Sequence, residues 1–155
     1  FEDAYFLFTV SIFDASAARR NVNPKKIYCI DHGLVTSTSA GILLNSGHLL
    51  ENLVFITLRR ITPEVYYLRT RSGAEVDFVA VLEDRSRMLV QACESLQDPK
   101  TRKREVGFLL EGMAELDLSS ATIVTRNEEE RLEVEGRKIA VVPAWRFLLD
   151  KDSEK

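Results

Sequence analysis

Ser72-Gly73-Ala74-Glu75-Val76-Asp77-Phe78-Val79-Ala80-Val81 decides the reading of the fold, because it sets two carboxylates in a segment otherwise suited to a buried strand, directly after a turn glycine. On an extended chain alternate side chains share a face. Glu75, Asp77 and Val79 are therefore expected on one side, and Val76, Phe78 and Ala80 on the other. A charge at Asp77 leaves water only where something polar or metallic meets it. Met88-Leu89-Val90-Gln91-Ala92-Cys93 reads as the partner strand across the polar connection Glu83-Asp84-Arg85-Ser86-Arg87, with Gln91 and Cys93 on one face.

Upstream, Leu49 to Ile61 has the strongest helical period, with Leu50, Val54, Leu58 and Ile61 as its stripe and Leu53 and Phe55 on the flanks. Glu51 falls inside that apolar sector and calls for a partner, while Asn52 and Arg59 are expected on the wet face. Pro63 ends the helix, and Glu64 to Thr70 reads as a strand. Downstream, Asp98-Pro99 starts a helix that runs to about Leu116 and buries Val106, Leu109, Leu110, Met113 and Leu116, weakened locally by Gly107 and Gly112. Ser120 to Thr125 is a strand, and Leu132 to Glu135 and Lys138 to Val142 form a hairpin around Glu135-Gly136. Pro143 opens a terminal helix anchored by Trp145. At the start of the chain, Tyr5 to Val10 favours a strand reaching Phe13, and Asp14 to Pro24 an exposed connection. Lys25 to Ile30 reads as a short core strand, His32 to Thr38 as a helix capped by Asp31, and Gly41 to Gly47 as a loop.

The 155 residues, 45% hydrophobic and 29% charged, suffice for one domain with a real core. A net charge of -3 gives no general attraction to nucleic acid, so any such binding needs a local basic patch. Cys29 and Cys93 lack metal-ligand spacing and read as reduced thiols of a cytoplasmic protein. No apolar run nears the roughly 20 residues of a membrane span, so no membrane partner is expected. A chain beginning at Phe1 is expected to be a fragment.

A helix bearing Glu51, then strands bearing Asp77 and Gln91-Ala92-Cys93, resembles the PD-(D/E)XK nuclease superfamily in order. There a helical glutamate, a strand aspartate and an acid-x-Lys on the next strand surround magnesium. Lys26-Ile27-Tyr28-Cys29-Ile30-Asp31-His32-Gly33-Leu34, Leu49-Leu50-Glu51-Asn52-Leu53-Val54-Phe55, Ser72 to Val79, and Pro143-Ala144-Trp145 resemble the C-terminal domain of unknown function attached to archaeal and bacterial AAA+ family ATPases. The resemblance implies an α/β domain with a central mixed β-sheet flanked by helices, restriction-endonuclease-like, over residues 25–150. It makes residues 1–24 the connection from an N-terminal ATPase and winged-helix region, which becomes the first expected partner, and 151–155 a frayed tail. No Gly-x-x-x-x-Gly-Lys-[Ser/Thr] run occurs, so ATP is not expected at a P-loop of this chain.

The resemblance places a remnant pocket at Glu51, Asp77, Gln91 and Cys93, with Mg²⁺ on Glu51 and Asp77; Glu75, on the Asp77 face, is expected to be a solvated or salt-bridged edge residue, with a further metal ligand as the alternative. Gln91 and Cys93 stand where the pattern has acid-x-Lys, so the lysine that helps activate water is lost and the expected role is non-catalytic: regulation, partner binding or nucleic-acid engagement. Two alternatives stay open. One is an active Mg-dependent nuclease using a displaced basic residue, Arg69 or Lys100; the other is a structural oligomerisation domain. Residue by residue, Glu51 and Asp77 are either a surviving pocket or buried carboxylates held by Arg69, Arg71 or backbone amides. Gln91 is expected to bridge those two acids, and Cys93 to be a core thiol, since His32 and His48 are not placed beside it by spacing. Lys100, Arg102, Lys103 and Arg104 are either a phosphate-contacting cluster or a wet helical face.

Overall fold

The computed structural model describes residues 6–31, 33 and 46–149. In chain order they form β1 (Leu7–Val10), α1 (Ala17–Val22), β2 (Lys26–Cys29), α2 (Ser46–Ile61), β3 (Val65–Arg69), β4 (Glu75–Val81), β5 (Arg87–Ala92), α3 (Pro99–Leu116), β6 (Ser120–Thr125), β7 (Glu130–Val134), β8 (Arg137–Pro143) and α4 (Ala144–Leu149). Local chemistry sets several of these boundaries. The Asp98 carboxylate accepts a hydrogen bond from Thr101 N at 2.8 Å and Pro99 takes the first helical position, so α3 starts there; Asp117, in the left-handed region at φ 55°, ends it. Glu135 and Gly136 both adopt positive φ, the geometry of a tight turn between β7 and β8.

One six-stranded mixed sheet has the order β3-β4-β5-β6-β8-β7. β3, β4 and β5 run antiparallel by hairpins, β5 and β6 run parallel because α3 carries the chain across, β6 and β8 are parallel, and β7 closes the edge antiparallel to β8. α2 and α4 cover one face, where Val54, Phe55, Leu58 and Phe147 meet Phe78, Ala80, Val90 and Val124. α3 covers the other, packing Leu109 and Met113 on Val76, Val79, Leu89 and Ile123. Each fully buried side chain of this kind contributes roughly 1.5–3 kcal/mol. Gly112 lets α3 approach closely: a Cβ there would lie 3.1 Å from each of Leu68, Val76 and Leu89. The expected α/β architecture with a mixed sheet between helices is thus the observed one.

Four local expectations differ. Asp14 to Pro24 is not a plain connection but carries α1, because Ser16 accepts from Arg19 N and Asp14 accepts from Ser16 N, a local N-terminal cap. Asn52 and Arg59 are not on a wet face, because β1 and β2 form a separate antiparallel hairpin that lies over that side of α2. Asn52 is buried and the Arg59 guanidinium sits 5.2 Å from the Phe8 ring. Trp145 is 54% exposed under the Arg146 guanidinium, and Phe147 packs α4 instead. Strict alternation also fails in β4. Between the pairs Tyr66↔Val79 and Leu68↔Val76, β3 advances two residues and β4 three, so β4 holds an extra residue. Such a bulge lets neighbouring side chains leave on the same side. Val76 and Val79 reach the α3 face, while Asp77 and Phe78 both reach the α2 face. The helix expected at His32 to Thr38, most of the Gly41 to Gly47 loop and the tail 151–155 lie outside the described residues; Ser46 and Gly47 already belong to α2.

Candidate acidic site

Glu51 sits in the first half of α2 on the sector that faces the sheet, and Glu75 and Asp77 alternate along β4. The bulge after Asp77 turns its carboxylate toward α2 rather than α3. The acids therefore converge on one point, and a cation from elsewhere in the chain occupies it. Lys26 Nζ lies 3.1 Å from Glu51 Oε1, 2.9 Å from Glu75 Oε1 and 3.0 Å from Asp77 Oδ1.

The hairpin delivers Lys26 because alternate residues of β2 point inward. Lys26 and Tyr28 face the core, and Ile27 between them is exposed. Tyr28 stacks on Phe55 with ring centres 4.4 Å apart, and its hydroxyl donates to Glu51 Oε1 at 2.6 Å. The Asn52 side-chain amide closes the free edge of β2 as a strand would, accepting from Cys29 N at 2.8 Å and donating to Cys29 O at 2.9 Å. Tyr67 OH donates to Pro24 O at 2.7 Å. Beyond β1, Phe13 N donates to Tyr67 O and Tyr67 N to Ser11 O, fastening the hairpin to the edge of β3.

Asp77 Oδ2 accepts from Ala92 N at 3.0 Å. Burial, reinforced by the Glu51 charge, raises the Asp77 pKa to about 6 against the opposing pull of Lys26 and the Ala92 amide. Burial works against the Lys26 charge, but Asp77, Glu51 and Glu75 more than offset it and hold this lysine above its ordinary range. Burial and then the Glu51 charge push the Tyr28 hydroxyl far up, so it stays a hydrogen-bond donor. His48 Nδ1 stands 3.9 Å from Glu51 Oε2 at the exposed rim. A cavity of about 640 Å³ opens beside the cluster, walled by Leu7, Ile27, Tyr28, Cys29, Leu49 and Asn52.

Glu51 and Asp77 thus meet in one hollow, whereas Gln91 and Cys93 do not join them. The Gln91 carbonyl accepts from Asp77 N at 3.1 Å, but its amide donates to the buried Glu105 carboxylate of α3 at 2.8 Å. It bridges the Asp77 backbone to Glu105, not Glu51 to Asp77, because β5 keeps regular alternation and places it on the α3 face. Cys93 packs on that face too; its thiol donates to Ser95 O at 3.2 Å, and burial raises its pKa. Arg69 and Arg71 are exposed, and Lys26 with the Ala92 amide holds the acids instead. At the start of α3, Arg102 is paired with Glu130 at 2.8 Å and Arg104 with Glu105 at 2.6 Å, leaving Lys100 and Lys103 as its exposed cations without a described ion pair. Lys26, Tyr28, Asn52 and Glu105 are the site residues that sequence reasoning missed.

The residues do not suit Mg²⁺ as arranged. The three carboxylate oxygens stand at ammonium distances from a common point that Lys26 already fills, against about 2.0–2.1 Å for magnesium. Among the described residues no group of three or more His, Cys, Asp or Glu side chains is placed to hold a metal ion. Nor, among them, is any helix long and apolar enough to cross a membrane.

Residues 46–147 match the family described as "Domain of unknown function (DUF4143)". An uncharacterized protein of Methanocaldococcus jannaschii is 31% identical over 158 residues, an alignment covering 96% of this chain and 34% of that protein. The chain therefore spans about a third of the length of this curated relative. No solved structure matches. With two thirds of its residues inside the match, the chain belongs to the DUF4143 family.

Proposed function

We propose that this DUF4143 domain is a catalytically degenerate, restriction-endonuclease-like module of an AAA+ family ATPase, serving regulation, partner binding or nucleic-acid engagement in the cytoplasm. The succession α2-β3-β4-β5-α3-β6, with an acid on the helix and another on β4, next to the edge strand, supports the kinship with PD-(D/E)XK nucleases. One observation carries the loss of catalysis: Lys26 Nζ fills the convergence point of Glu51, Glu75 and Asp77, while Gln91 and Cys93 face the other side of the sheet. With the lysine counted, the cluster is net negative, which disfavours an approaching phosphodiester. The ATPase region is the proposed first partner, in keeping with a relative about three times the length of this chain. Incubating the purified domain with DNA or RNA and Mg²⁺ or Mn²⁺ should leave both intact. Cutting that Asp77→Ala abolishes would overturn this reading.

A second reading is metal-dependent cleavage in which Lys26, rather than Arg69 or Lys100, is the displaced basic residue. It is favoured by the ammonium's place beside the acids. Calorimetric titration with Mg²⁺ that releases no binding heat rejects it.

A further inference from the structure

The acids of the cluster lie on α2 and β4, inside the matched residues 46–147, whereas Lys26 comes from β2, outside them. We infer that Lys26 is the resident cation of the Glu51, Glu75 and Asp77 cluster, filling from within the chain the place a divalent ion would otherwise take, so that its removal turns the cluster into a divalent-cation site. The inference rests on the reading of the cluster as non-catalytic and deepens it, since it states why that cluster does without metal.

Three arguments support it. Three carboxylate oxygens surround the ammonium at 2.9–3.1 Å: Glu51 Oε1 and Asp77 Oδ1 accept hydrogen bonds from it, and Glu75 Oε1 forms the third ion pair. Lys26 is also not a swinging surface lysine. The Asn52 clamp on Cys29, the Tyr67 bond to Pro24 and the Tyr28 stack on Phe55 fix the strand on either side of it. Without that ammonium, three carboxylates would face one another in a half-buried hollow, and like charges so placed require protons or a new cation. The adjoining cavity of about 640 Å³ gives a hydrated ion a route in. Ca²⁺ takes oxygen ligands at about 2.3–2.6 Å in flexible geometry, so it asks a smaller contraction of the cluster than Mg²⁺ does. Conversely, a fixed positive charge at the convergence point repels divalent ions in the native chain.

The test is a Tb³⁺ and Ca²⁺ titration of the native chain, Lys26→Met and Lys26→Gln. Binding is read by Tb³⁺ luminescence sensitised through Tyr28, which lies 2.6 Å from Glu51, and by calorimetry with Ca²⁺. Both variants should bind about tenfold or more tighter than the native chain, and Asp77→Asn in the variant background should cancel the gain. Equal binding by native chain and variants, or none by folded variants, would overturn the inference. Should circular dichroism show both variants unfolded in EDTA, millimolar Ca²⁺ is expected to restore the fold, and failure to restore it overturns the inference as well. Cleavage of nucleic acid by the native chain would sink the proposed function, whereas variants that take up no cation would sink this inference alone.

Discussion

Replacing Lys26 by methionine keeps the length of the side chain and removes its charge, which isolates the central electrostatic contact. At an effective dielectric constant of about 20, each ammonium–carboxylate pair near 3 Å represents roughly 5 kcal/mol of Coulomb attraction before desolvation is subtracted. The net cost of removing one partner from a buried ionic group is smaller, about 3–5 kcal/mol. Lys26 and Glu75 remain 23% and 39% exposed, so water screens part of the loss. The lower end, about 3 kcal/mol at pH near 8, is the expected outcome. For a chain of this size that is a fall in Tm of about 6–12 °C. The Asp77 pKa is raised from 3.8 to about 6 by burial and Glu51, so its contribution to stability is fully present below 3.8 and is lost as pH climbs through about 6. Methionine at position 26 removes the cation that restrains this rise, so ionising Asp77 becomes costlier still. The deficit of the variant should therefore shrink to about 1 kcal/mol near pH 5 and widen toward pH 8. Urea unfolding at the two pH values, followed by circular dichroism, reads the difference directly. A deficit independent of pH, or none at pH 8, would refute the reasoning.

Asn52→Ala removes both hydrogen bonds to the backbone of Cys29 and should cost about 2–3 kcal/mol, with faster hydrogen exchange confined to β1 and β2. Gly107→Ala, where a Cβ meets nothing within 4 Å, should stabilise by about 0.5–1 kcal/mol in urea unfolding. Gly112→Ala, forced within 3.1 Å of Leu68, Val76 and Leu89, should destabilise by about 1 kcal/mol instead. The double variant Gln91→Glu with Cys93→Lys restores the acid-x-Lys spelling but places both charges on the α3 face. It should remain inactive toward DNA in Mg²⁺ and lose about 3 kcal/mol or more to buried charge beside Glu105.

Most of the architecture was legible because the signals were local. Asp98-Pro99 marks the start of α3, Glu135-Gly136 the last hairpin, and the Leu50, Val54, Leu58 period the buried stripe of α2. Glu51 and Asp77 each fell on an apolar surface that could not tolerate a lone carboxylate, so the need for partners was legible, but only the resemblance set the two acids in one pocket. What escaped is non-local. The bulge that turns Asp77 away from Val79 adds one residue against β3, and a period of two carries no sign of it. Lys26 is 25 residues from Glu51 and 51 from Asp77, so nothing in its own segment names its partners. The one hint was the Lys26-Ile27-Tyr28 alternation, which puts two polar-tipped side chains on the inward face of a short strand. Asn52 misled because helical period alone cannot know that β2 will cover its side of α2.

The central claim, a charged Lys26 held among three carboxylates, is tested most directly by nitrogen-detected NMR of ¹⁵N-lysine-labelled protein at neutral pH. One ammonium resonance should be protected from solvent exchange, disappear in Lys26→Met, and lose its protection in Asp77→Asn and Glu51→Gln. A spectrum in which every lysine ammonium exchanges as freely as an exposed one would contradict the account.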